Sequence, residues 1–287
     1  MSWFSANSKQ GRVREFIKRR RQIRREVKDL KRIPSRRCDI ERLLPARDCN
    51  LEEIFNASEI AEDWEAIRPA LEAFEFPNGA GEINPGDRRA IFYLISYFKR
   101  QSVLEIGTHI GASTLHIAVA LQRAQRLDGE LHLNLVSVDI ADVNDPGSKP
   151  WLRHGARFSP AEMIHKTGCA SLVEFVTSRS LDYLANCGKK FDFIFLDGDH
   201  AAQTVYQEIP AALELLGNDG VILLHDYFPR LKPLWSDGAV IPGPFLATER
   251  LVAEGTRLAV LPLGRLPWPT KLRSNMTSLA LLLRQTI

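Results

Sequence analysis

The chain of 287 residues is long enough for one large domain, or a domain with an appendage, and its 45% hydrophobic and 25% charged residues are ordinary for a globular protein. No apolar run nears the roughly 18 residues of a membrane span, Met1 to Gln10 lacks the apolar core of a secretory signal, and Glu15, Glu26 and Asp29 argue against a transit peptide. The net charge of +3 conceals an asymmetry: residues 1–38 hold 14 Lys or Arg against three acids, so a segment of +11 is joined to a body of −8. Cys38, Cys49, Cys169 and Cys187 are widely spaced, with no CxxC pair. That spacing suits a reducing compartment better than a disulfide framework or a zinc site, and a cytoplasmic protein is expected.

The basic segment reads as one helix over Gly11–Arg32. Val13, Phe16, Ile23, Val27 and Leu30 recur at three- and four-residue steps, Arg20 interrupts the stripe, and Pro34 ends it. Arg19, Arg21, Arg24, Arg25 and Lys28 occupy the other faces. Such an arm could lie on an anionic membrane, contact nucleic acid, pack in a homodimer, or dock by its stripe on its own body. Few aromatics interleave with the charges, which disfavours nucleic acid. Residues 38–84 read as short helices and loops, with amphipathic pieces at Leu51–Phe55 and Ile60–Phe74 and a break at Pro77, Gly79, Gly81 and Pro85. A helix is expected over Asp87–Arg100, with Ile91, Leu94, Ile95 and Phe98 on its buried face.

Strands and helices then alternate. Strands are expected at Ser102–Ile106, Leu133–Val138, Leu172–Val176, Phe191–Leu196, Gly220–Leu224, Leu258–Leu263 and Ser278–Leu283. Helices are expected at Ala112–Ala124, Pro160–Lys166, Leu181–Asn186, Ala201–Leu216 and Phe245–Glu254. This pattern predicts an α/β protein: a doubly wound, mostly parallel seven-stranded sheet with an N-terminal helical arm. A domain boundary is expected near residue 85, with an arm and cap over 1–85 and the sheet domain over 86–287.

In such sheets ligands bind beyond the carboxyl ends of the strands, so what stands there carries the functional reading. The first strand runs into Glu105, Gly107, Thr108 and Gly111, a tight turn that opens a helix. A carboxylate before the first glycine suits a cationic ligand better than a pyrophosphate, and the glycine spacing does not make the GxGxxG of nicotinamide cofactors. The second strand ends at Asp139, an acid able to accept both hydroxyls of a ribose. The third ends at Ser178, Arg179 and Ser180, the fourth at Asp197-Gly198-Asp199-His200, and the fifth at His225-Asp226-Tyr227.

Four of these segments, in this order and spacing, carry a resemblance: Leu104-Glu105-Ile106-Gly107-Thr108-His109-Ile110-Gly111, Val138-Asp139, Phe195-Leu196-Asp197-Gly198-Asp199-His200 and Gly220-Val221-Ile222-Leu223-Leu224-His225-Asp226. From about Asp87 to Leu283 the chain resembles the class I S-adenosylmethionine (SAM)-dependent methyltransferases, above all the metal-dependent O-methyltransferases of the catechol and caffeoyl-CoA type and their bacterial relatives. The resemblance implies a Rossmann-like methyltransferase fold and a SAM site. Glu105, Gly107 and Gly111 would border its methionine part, with Thr108 and Ser113 beside them. Asp139 would hold the ribose, and Ser180 with Arg179 would border the adenine. It further implies Mg²⁺ or another divalent cation on Asp197 and Asp226, with Asp197 touching both cofactor and reaction. Those relatives carry Asn after the second acid where this chain has Tyr227, so Asp199 or His225 is left to complete the shell. His200 stands where they carry a catalytic lysine, and an imidazole suits removal of a hydroxyl proton near neutral pH. The implied reaction is methyl transfer to a hydroxyl of a small molecule or glycoside.

The acceptor is not legible. Trp151, Phe158 and Trp235 could wall its pocket or simply anchor their loops. Two other readings stay open: an enzyme of the same fold with different metal chemistry, resembling the cephalosporin-hydroxylase-like proteins, and a non-catalytic binding protein of this fold anchored by its arm.

Overall fold

The computed structural model describes residues 9–77, 83–127 and 133–285. Gly79 and Gly81 of the expected break lie outside the described residues. The arm is helix α1 (Lys9–Leu30); α2 (Leu51–Phe55), α3 (Ser58–Glu72) and α4 (Pro85–Tyr97) precede the sheet. Asn84 caps α4 by accepting from the Asp87 amide at 3.1 Å, with Pro85 fixing the first turn. α4 stops three residues short of the expected Arg100 because Lys99 turns left-handed, φ 49°, and the Arg100 amide donates back to the Ile95 carbonyl at 3.0 Å.

The alternating region gives β1 (Ser102–Ile106), α5 (Ala112–Leu127), β2 (Asn134–Asp139), α6 (Pro150–Arg153), α7 (Pro160–Lys166), β3 (Val173–Thr177), α8 (Ser180–Asn186), β4 (Phe191–Leu196), α9 (Ala202–Leu215), β5 (Leu216–Leu224), α10 (Gly243–Ala253), β6 (Leu258–Pro262) and β7 (Ala280–Arg284). A capping box between Ser159 and Glu162 starts α7. β5 begins four residues before the expected Gly220, because Leu216 pairs with Phe191 ahead of a register shift. The seven strands lie in the order β3-β2-β1-β4-β5-β7-β6, parallel except for β7, which is antiparallel to both neighbours. Chain direction across the sheet reverses between β1 and β4, which opens a crevice at their carboxyl ends.

Period-two alternation sends the apolar strand residues to two cores. Val103, Phe193, Phe195, Val221 and Leu223 face α4 and α5, together with Ile54, Trp64 and Leu71 from α2 and α3. Leu104, Ile106, Ile194, Leu196 and Ile222 face α9 and α10, joined by Leu30, Ile40 and Leu43. Among the described residues, those from Leu30 to Ile83 therefore contribute to both cores. Trp151 is buried in the first core, Phe158 packs edge-on to Phe74, and Trp235 packs edge-on to Phe228 in a small cluster of its own. Among the described residues no helix is long and apolar enough to cross a membrane, and all four cysteines are free thiols.

Candidate active site

A cleft of about 460 Å³ opens at the carboxyl ends of β1, β2, β4 and β5, within the ~300–1,000 Å³ usual for small-molecule sites. Its floor is the turn after β1. Gly107 has φ 102°, and a Cβ there would collide with the Asp197 carbonyl, so glycine is what lets the ends of β1 and β4 approach. Gly111, φ 76°, serves packing instead. A Cβ there would stand 2.8 Å from Pro160, and Gly111 does not line the cleft, contrary to the expectation of a cofactor contact.

Glu105 departs further from expectation. It alternates with Leu104 and Ile106, so it points with Val103 under α5 and is fully buried, off the cleft wall. Its Oε2 accepts from Thr114 Oγ1 at 2.5 Å and from Ser137 Oγ at 2.6 Å, and Ser137 also bonds Thr108 at 2.7 Å. Burial pushes the Glu105 carboxyl up to about 7, against the pull of the Ser113, Ser137 and Thr114 hydroxyls. The group ties β1, β2 and α5 together beneath the turn. Thr108 and Ser113, both nearly buried, do reach the cleft.

Asp139 lines the cleft opposite. Its Oδ2 accepts from the His109 amide at 2.9 Å and its Oδ1 from the Ala141 amide at 3.0 Å, which locks the glycine turn to β2. Ser178, Arg179 and Ser180 form the neighbouring wall. Behind Ser180 lies Glu208, which the sequence did not single out. Burial pushes its carboxyl up to about 7, while its bond to Ser180 pulls down and the Asp199 charge raises it.

The acids and histidines meet on the β4–β5 side. Asp197, His200, His225 and Asp226 all line the cleft. His225 Nδ1 is 2.8 Å from Asp197 Oδ1 and 3.7 Å from Asp226 Oδ1, and its Nε2 is 3.6 Å from Asp87 Oδ2. Burial lowers the affinity of this imidazole for a proton, but the Asp197 and Asp226 carboxylates outweigh it and hold the ring well above its ordinary value. Asp87, fully buried in the first turn of α4, is a partner that sequence reasoning missed, since an acid three residues after Asn84 reads as an exposed helix-start residue. Asp226 has φ 52°, which carries its carboxylate over to His200, whose Nε2 is 3.5 Å away.

The expected cation site fares less well. Asp199 is spent on its own loop, accepting from the Ala201 amide at 3.0 Å and Thr204 Oγ1 at 2.7 Å. Tyr227 is buried, with its hydroxyl turned to Thr248. The position between Asp197 and Asp226 is taken by the His225 ring, whose Nδ1 lies 2.8 Å from Asp197 Oδ1 and 3.7 Å from Asp226 Oδ1. Among the described residues no three His, Cys, Asp or Glu side chains form a group able to hold a metal ion. As arranged, these residues do not fit a divalent cation on Asp197 and Asp226.

Comparison with known proteins agrees with the fold. Residues 104–227 match the family model described as a methyltransferase domain. No curated protein matches the chain. Among solved structures it resembles the O-methyltransferase TomG of Streptomyces achromogenes, involved in tomaymycin synthesis and in complex with SAM, at 18% identity over 83% of this chain and 100% of that one, TM-score 0.52. It also resembles the Bacillus cereus O-methyltransferase in complex with SAH (S-adenosylhomocysteine), at 17% identity, 82% and 100% coverage and TM-score 0.50. Cofactor-bound Rv0187 from MTB matches at 19% identity, 78% and 89% coverage and TM-score 0.50. Residues 104–227 therefore match a methyltransferase domain, on a fold shared with SAM- and SAH-bound O-methyltransferases.

Proposed function

We propose that the protein is an O-methyltransferase that binds SAM in this cleft and methylates a hydroxyl of a small molecule or glycoside without a metal ion. The observation that carries the reading is the single cleft joining Gly107, Asp139 and Ser180 on one side with Asp197, His200 and Asp226 on the other. The first group suits a nucleoside with an amino-acid tail. The second sets the Asp197 and Asp226 carboxylates along one wall, which favours a sulfonium cation. Bound SAM would supply an electrophilic methyl group, whose C–S bond breaks as the acceptor O–C bond forms.

The chain's own residues would do the rest. Asp139 accepts from the ribose hydroxyls, and Ser180, backed by Glu208, borders the adenine. His200 takes the acceptor's hydroxyl proton, its ring oriented by the Asp226 carboxylate 3.5 Å away. Asp197 is held at the reaction end of the cleft by His225, which Asp87 steadies from behind. Alignment of acceptor and methyl then supplies much of the rate.

Calorimetric titration with SAH, in Mg²⁺ and in EDTA, tests this. Equal binding under both conditions, weakened at least tenfold by Asp139→Ala, is expected. No SAH binding in either buffer would remove the reading.

A further inference from the structure

The outward face of the N-terminal arm serves neither the cleft nor the fold. α1 is fastened by its last turns. The Glu26 carboxylate accepts from the Ala202 amide at the start of α9, 2.8 Å away. Just beyond the end of α1, Arg250 donates to the Leu30 and Ile33 carbonyls and lies over the Tyr206 ring, whose hydroxyl accepts from the Arg36 amide at 3.0 Å. Glu26 thus stands level with Ala202, and residues 30–36 with Tyr206, so α1 runs parallel to α9. The 17 residues from Lys9 to Arg25 then extend about 25 Å past the start of α9. They project from the carboxyl edge of the sheet, beside His200 and Thr204 of the cleft wall.

A helical period separates the two faces of this projection. With Glu26 and Leu30 turned to the body, Lys18, Arg21, Arg24, Arg25 and Lys28 are all exposed on the opposite side. No acid lies among them, and none has an ion-pair partner among the described residues. Ile17, 44% exposed, shares that side. At the same edge of the molecule Ile140 follows β2 into the cleft rim, 70% exposed. Cations interspersed with bare aliphatic side chains match the two components of a lipid interface, headgroup charge and acyl chain. Aliphatic side chains offer nucleic acid no stacking platform.

We propose that this arm seats the carboxyl edge of the enzyme on an anionic lipid bilayer, so that the cleft opens toward lipid and takes its hydroxyl acceptor from there. The docking stands on its own; only the source of the acceptor rests on the methyl-transfer reading.

Sedimentation with vesicles of phosphatidylcholine, alone or mixed with phosphatidylglycerol, tests it on the full chain. The protein should sediment with the anionic vesicles alone and be released by salt. Lys18→Gln/Arg21→Gln/Arg24→Gln/Arg25→Gln/Lys28→Gln should cut partitioning by at least about a hundredfold, and Arg21→Glu/Arg25→Glu by about tenfold or more. Unchanged thermal midpoints would show both variants folded, and SAH titration of the same samples reports separately on the methyltransferase reading. Equal partitioning on neutral and anionic vesicles, or folded variants that sediment like the parent, would overturn the proposal. So would tighter binding to a DNA duplex than to the anionic vesicles at equal ionic strength.

Discussion

Replacing Glu105 by Gln isolates a buried charge that the fold sustains at a cost. The side chain is fully buried, and its carboxyl is pushed from 4.5 up to about 7. Between those values the folded chain holds a proton that the unfolded chain has released, so stability is greatest below pH 4.5 and falls as pH rises through 7. A displacement of that size corresponds to about 3 kcal/mol, or about 5 °C in melting temperature for a chain of this length. Gln keeps an oxygen to accept from Thr114 and Ser137 but cannot ionise. Its new NH₂ group brings a cost of about 1–3 kcal/mol that is the same at every pH. Thermal unfolding of parent and Glu105→Gln from pH 5 to 8 gives the measurement. The parent should lose about 3 kcal/mol relative to the variant over that range, whatever their offset at pH 5. Because Glu105 lies off the cleft wall, SAH affinity should change by less than about tenfold. Parallel stability curves across the range would refute the argument, since they would mean that Glu105 ionises as readily in the folded chain as in the unfolded one.

His200→Ala should lower kcat by about 10²–10⁴ while leaving the Kd for SAH within about threefold, as removal of a general base requires; an unchanged kcat would exclude His200 from proton transfer. Because His225 occupies the space between Asp197 and Asp226, turnover should survive EDTA within about twofold, and loss of activity restored by Mg²⁺ would show that a cation displaces the imidazole. Gly111→Ala should cost about 2–3 kcal/mol in urea unfolding, from its positive φ and its contact with Pro160, and weaken SAH binding much less. The reverse ranking would mean that Gly111 serves the ligand after all.

The alternation of strands and helices was legible because the central strands β1, β2 and β4 bury both faces in apolar runs, and because turn residues separate the runs. The convergence of Gly107, Asp139, Ser180, Asp197, His200 and Asp226 followed from strand order, since parallel strands deliver their carboxyl ends to one rim. The direction a side chain takes at that rim was a separate matter. Glu105 could have been turned inward on paper, since period two pairs it with Val103 and not with Ile106. Asp87 could not, because only packing brings the first turn of α4 against β5. Trp151 and Trp235 were equally open, as an aromatic in a loop reads the same whether it walls a pocket or fills a small core.

The end of β5 shows why residue type alone misleads. The resemblance to the metal-dependent O-methyltransferases pairs the acid ending β5, Asp226, with Asp197. Register gives a different partner. Leu196 pairs with Leu224, and the His225 amide donates to the Leu196 carbonyl at 3.2 Å, so the residue level with Asp197 is His225. Its imidazole accordingly comes to lie 2.8 Å from the carboxylate, while Asp226, one residue on and in a left-handed turn, swings to His200. Two carboxylates facing each other across neighbouring strands would need a cation between them. A histidine at the facing position puts an imidazole there instead, and on that geometry rests the proposal of methyl transfer without a bound ion.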